Sequence, residues 1–97
     1  MDEYTNIRQE FHDLQTRNEL NEIRLNAVKI ISDGIAILPH GLNGICTYFR
    51  KNGKKICEEA FLGGAVDGYA RYYNMHEELV GEDYYNDGGV YQTRIFK

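Results

Sequence analysis

The chain has 97 residues, with 11 Lys and Arg against 15 Asp and Glu, a formal charge of −4, ten Gly, one Pro and two Cys. This length gives room for one hydrophobic core over 1–97 and no second domain, and 42% hydrophobic residues are too many for a disordered chain. The acidic balance argues against a duplex nucleic-acid binder, and the absence of a long apolar run argues against a membrane span.

Residues 1–33 contain neither Gly nor Pro, and Tyr4, Ile7, Phe11 and Leu14 step by three and four along one helical face. The same spacing continues through Asn18, Asn21 and Leu25, so the segment predicts one long helix. At 1.5 Å per residue such a helix would be roughly 43 Å long and would overhang a domain of this size. Its seam, Tyr4, Ile7, Phe11, Leu14, Asn18 and Leu25, then calls for a second copy of the chain and makes a homo-oligomer the expectation. Thr16 to Glu19 has the form of a capping box and leaves a break there as the alternative.

Asp33-Gly34 ends this element, and 34–53 reads as an extended and turn-rich segment. Within it Ile45 to Phe49 is rich in strand formers, and Asn52-Gly53 is a favoured hairpin turn. With that turn Phe49 would oppose Ile56, Tyr48 would oppose Cys57, and Thr47 would oppose Glu58. Against the hairpin stands a longer match. Ile56, Ala60, Phe61, Gly64, Ala65, Gly68, Tyr69, Tyr72 and Tyr73 fit one face of a helix, so 54–80 is read as a second, glycine-containing helix. Turns follow in 81–97, and Val90 to Phe96 alternates as a terminal strand. The expected fold class is α+β and α-dominated, a helical protein with a small β element.

Catalytic signatures are absent: the chain has no phosphate-binding glycine loop, no nucleophile elbow and no dinucleotide fingerprint. Cys46 and Cys57 lack zinc-ligand spacing, and His12, His40 and His76 are scattered, so no metal and no cofactor is expected. Two charge clusters remain. Arg50, Lys51, Lys54 and Lys55 form a basic tip suited to an anion, and Glu77, Glu78, Glu82, Asp83 and Asp87 form an acidic run. Six of the eight tyrosines fall between Tyr69 and Tyr91, interleaved with those carboxylates. Tyrosine offers large contact area at low entropy cost, so Tyr72, Tyr73, Tyr84 and Tyr85 with the acids predict a surface that docks on a basic protein partner.

In size, acidity and lack of catalytic motifs the profile resembles the small inhibitor proteins of phages and mobile elements. That resemblance implies a non-enzymatic binding protein acting in the cytoplasm, the host's if phage-encoded. The alternatives are a structural oligomer and an oligomeric protein that binds or sequesters an anionic nucleotide. The nucleotide reading takes its phosphate site from the basic tip and its stacking groups from Tyr69, Tyr72 and Tyr73. The acidic start, Met1-Asp2-Glu3, gives no signal-peptide pattern, in keeping with a cytoplasmic location.

Overall fold

A computed structural model of the protein describes residues 2–18, 28–31, 34–37, 43–86 and 89–96. It has one helix, α1 (Glu3–Asn18), followed by seven strands: β1 (Val28–Ile31), β2 (Gly34–Ile37), β3 (Gly44–Arg50), β4 (Lys55–Leu62), β5 (Ala65–Tyr73), β6 (Leu79–Asn86) and β7 (Gly89–Ile95). The strands form a single antiparallel sheet in chain order, and α1 lies across one face against β4, β5 and β6. The fold is therefore β-dominated, which corrects the α-dominated, helical expectation.

The helix begins where Asp2 caps it, its carboxylate accepting from the Thr5 amide at 2.7 Å, with Glu3 in the first turn facing the positive helix end. Thr16 is no cap, because its hydroxyl donates back to the His12 carbonyl at 3.0 Å within the helix. The predicted helix over 1–33 instead gives way to the β1–β2 hairpin, in register from Val28↔Ile37 to Ile31↔Gly34. Lack of Gly and Pro permits a helix without demanding one. The β-branched Val28, Ile30 and Ile31 suit a strand that finds a partner. With α1 at 16 residues, the overhang that called for a second copy is gone.

The second predicted helix, 54–80, is likewise overturned. Asn52-Gly53 forms the hairpin turn after all: Gly53 has φ 86°, Asn52 accepts from the Lys54 amide, and the Arg50 amide donates to the Lys54 carbonyl at 2.8 Å. Thr47 opposes Glu58 and Tyr48 opposes Cys57 as that turn predicts, whereas a bulge pairs Phe49 with Lys55. Gly63 and Gly64, at φ 65° and 88°, turn β4 into β5, a conformation that L side chains resist. The short helical stretch predicted near Met75–Val80 is a turn built on Asn74, whose side-chain oxygen accepts from the His76 and Glu78 amides, and it leads into β6. The terminal strand expected over 90–96 is present as β7, and it pairs with β6.

The core is the stripe Tyr4, Ile7, Phe11 and Leu14 set on the covered face of the sheet, where Cys46, Tyr48, Cys57, Ala70 and Tyr72 are buried. Phe11 meets Tyr48 edge-on with ring centres 4.7 Å apart, and Tyr4 meets Tyr72 at 5.7 Å. Gly81 leaves room for Tyr4, whose ring any Cβ at that position would overlap. A two-fold pattern runs through this floor. Tyr48 donates to Glu59 and Tyr72 donates to Asp83, each across eleven residues, and the second pair stands 24 residues after the first. Bulges follow both tyrosines, so β3–β4 and β5–β6 are successive copies of one hairpin unit.

Candidate functional site

The structure disperses the two charge clusters. Arg50 is buried, pairing with Glu10 at 2.9 Å and donating to the carbonyls of Lys55, Tyr73 and Asn74. It ties the β3–β4 turn to α1 and to the end of β5. Lys55 pairs with Glu58 at 3.7 Å and lies over the Tyr73 ring, which leaves Lys51 and Lys54 exposed on the turn. The predicted basic tip is thus not one anion site.

The predicted acidic, tyrosine-rich surface is divided by strand alternation. Tyr72, Asp83 and Tyr85 point to the helix side, and Tyr72 and Asp83 are buried there. Tyr73, Glu82 and Tyr84 belong to the opposite face. There Glu82 accepts from Arg71 at 2.6 Å and from Tyr84 at 2.5 Å, and Tyr73 donates to Glu58. Glu77 and Glu78 are exposed on the β5–β6 turn, and Asp87 lies outside the described residues. Of the predicted seam, Tyr4, Ile7, Phe11 and Leu14 are covered by the chain's own sheet. Asn18 ends α1, and Leu25 lies outside the described residues.

What the fold assembles instead is a cleft of about 440 Å³ beside α1. Arg8 and His12, one turn apart on the helix, line it together with Thr5, Gln9, Phe11 and Gln15; Tyr72, Tyr85 and Glu59 line the sheet side. The sequence reading missed Arg8, His12 and Glu59. Arg8 and His12 directly follow the core residues Ile7 and Phe11, which places them on the flank of the buried stripe. Glu59 could have been found from the 24-residue recurrence of a tyrosine followed eleven residues later by an acid.

Two buried carboxyls underlie the cleft and are treated differently. Asp83, fully buried, accepts from the hydroxyls of Tyr4, Tyr72 (3.2 Å) and Thr93 (2.8 Å) and from Arg8 Nε (2.9 Å). Arg8 is half exposed, and only its Nε is engaged among the described residues. Its two Nη groups have no partner among the described residues and have the form of a fork. Glu59 is 5% exposed, and its Oε1 accepts from Tyr48 at 2.7 Å. Its Oε2 has no partner among the described residues, and Glu59 is one of the residues that line the cleft.

Burial pushes the Glu59 carboxyl up to about 7, the Tyr48 hydrogen bond opposing the shift. A carboxyl raised by folding stabilises fully below its unfolded value of 4.5 and loses that stabilisation as pH rises through 7. Glu82 acts in the opposite direction. Hydrogen bonds from Tyr84 and Arg71 outweigh its desolvation and hold it low, and that contribution disappears on acidification. Wild-type protein is therefore expected to be less stable at pH 8 than at pH 5 by on the order of 2–3 kcal/mol from Glu59. Urea unfolding at both pH values checks this, and Glu59→Gln should erase most of the difference.

Cys46 and Cys57 are free, buried thiols, and desolvation raises both, Cys46 to about 12, so neither is a nucleophile at neutral pH. Comparison with protein-family models, curated proteins and solved structures finds no match to this chain. Among the described residues no helix is long and apolar enough to cross a membrane.

Proposed function

We propose that this protein binds a small anionic molecule with an apolar body in the cleft between α1 and the sheet, without chemical turnover. The observation that carries this reading is Arg8. Its Nε is fixed on buried Asp83, and among the described residues its Nη edge has no partner, beside an open cleft with aromatic side chains in its lining. His12 is one helical turn on, and Phe11, Tyr72 and Tyr85 supply an aromatic wall. A planar anion, such as an aromatic carboxylate or a nucleotide, suits that combination. Of the predicted acidic run, Glu77 and Glu78 are the exposed members among the described residues, with the half-buried Tyr73 and Tyr84 elsewhere on the sheet. A cytoplasmic location belongs to the same proposal, since two unpaired thiols suit a reducing compartment.

Calorimetry and thermal unfolding with benzoate, indole-3-acetate, adenosine monophosphate and inorganic phosphate test the reading. At least one should raise the midpoint, a ligand at 100 times its Kd adding about 2.7 kcal/mol. His12→Glu changes only an exposed rim residue and should weaken that ligand by roughly tenfold through like-charge repulsion. Silence across the panel, or equal binding by His12→Glu, would sink the proposal.

A further inference from the structure

We infer that Glu59 carries the proton with which the cleft takes up its ligand, and that the ligand is a small monocarboxylic acid with an aromatic or alicyclic body, bound as its anion. The inference rests on the cleft being the ligand site. Glu59 Oε1 is engaged by Tyr48, Oε2 has no partner among the described residues, and the residue lines the cleft, so a proton on Oε2 would be a donor for a bound ligand while the Tyr48 bond is kept. Arg8 lines the same cleft from α1, so a bound carboxylate would have a guanidinium and a protonated carboxyl as the donors for its two oxygens.

Charge matching selects the monoanion. Among the described residues Arg8 is the one guanidinium lining the cleft, and Asp83 already neutralises it in part. A monoanion beside an ionised Glu59 would place three negative charges around one cation, and protonating Glu59 removes one of them. A phosphate dianion would restore the excess. Binding therefore draws one proton from solvent onto Glu59 Oε2, with no covalent bond made or broken.

The other groups facing Glu59 do not compete for this proton. On α1, Arg8 stays cationic and burial raises the Tyr4 phenol to about 12. From β3 and β4, burial raises Cys46, Tyr48 and Cys57, and from β5 and β6 it raises Tyr72 and Tyr85. Asp83 is held by Arg8 and three hydroxyls. His12, at the rim, is the remaining titratable group and needs its own control.

Calorimetry of benzoate and indole-3-acetate at pH 7.5, in Tris and in HEPES, counts the protons through the two buffers' different ionisation heats. Inorganic phosphate serves as comparator, with wild type, Glu59→Gln and His12→Asn as proteins, each first shown to be folded by thermal unfolding. The expected result is carboxylate binding by wild type with uptake approaching one proton, and affinity falling about tenfold per pH unit well above pH 7. Glu59→Gln should still bind, with no buffer dependence and no pH slope, whereas His12→Asn, at whatever affinity it binds, should show the buffer dependence and the pH slope of wild type. Carboxylate binding without proton uptake, uptake that survives in Glu59→Gln, or phosphate binding in preference to both carboxylates would overturn the inference and leave the anion site standing. No binding by any probe would overturn both.

Discussion

Replacing Asp83 by alanine is expected to cost about 2–4 kcal/mol, because hydroxyl donors aimed at a buried carboxylate lose their acceptor while Arg8 is half exposed. The magnitude follows from what the carboxylate holds. Arg8 and the hydroxyls of Tyr4, Tyr72 and Thr93 all donate to it, joining α1, β5 and β7 through one residue of β6. Alanine would leave the Tyr72 hydroxyl buried without its acceptor and would release Arg8 from its fixed position, so the cleft would lose its oriented fork along with stability. Asn at this position keeps the shape and part of the acceptor capacity, and should cost less than Ala. Urea denaturation measures both; an Asp83→Ala midpoint within error of wild type would show that the four donors contribute little. A domain of this size has roughly 5–15 kcal/mol in total, so Asp83→Ala is expected to be partly unfolded at 37 °C.

The second large effect is at Phe11. It is 2% exposed and stands edge-on between Tyr48 and Tyr72, with ring centres 4.7 and 6.0 Å away. Phe11→Ala should cost about 3–5 kcal/mol, from lost transfer energy and from a cavity that flanking rings cannot close. It would also open the cleft floor, because Phe11 lines it. Phe11→Leu keeps most of the volume and should recover much of the loss. Near-UV circular dichroism distinguishes loosened packing around Tyr48 and Tyr72 from global unfolding, and the urea midpoint gives the magnitude.

Part of this molecule was legible in order along the chain. The 3-4-3 spacing of Tyr4, Ile7, Phe11 and Leu14 identified a helix and its buried face, because that pattern repeats faster than the ambiguity of any single residue. What covers the face was misread. The stripe packs on the chain's own sheet, and nothing in a stripe says whether a sheet or another helix lies opposite. Asn52-Gly53 and the alternation of Val90 to Ile95 were strand signals with a local mechanism, and both hold.

The region from Lys54 to Tyr73 failed for a physical reason. Paired bulges and inward-facing acids interrupt the alternation of β4 and β5, and the residues left over happen to fit a helical period. Gly63 and Gly64 were the better guide, two adjacent residues free to take positive φ between strand formers.

The cleft was beyond a linear reading. Arg8 and Asp83 lie 75 residues apart and meet only when β6 passes under α1. Glu59 is an ordinary surface acid by composition and becomes a neutral-range titrating group only by burial beside Tyr48. The same holds for the charge clusters, since an extended strand sends neighbouring acids such as Glu82 and Asp83 to opposite faces. By itself the sequence determined an acidic composition, the buried face of the first helix and a terminal strand, because those depend on composition and near-neighbour spacing. Only the tertiary structure decided that the fold is a seven-stranded sheet and that its ligand-sized space lies beside Arg8 and Glu59. Strand pairing and burial join residues whose separation along the chain carries no periodic signal.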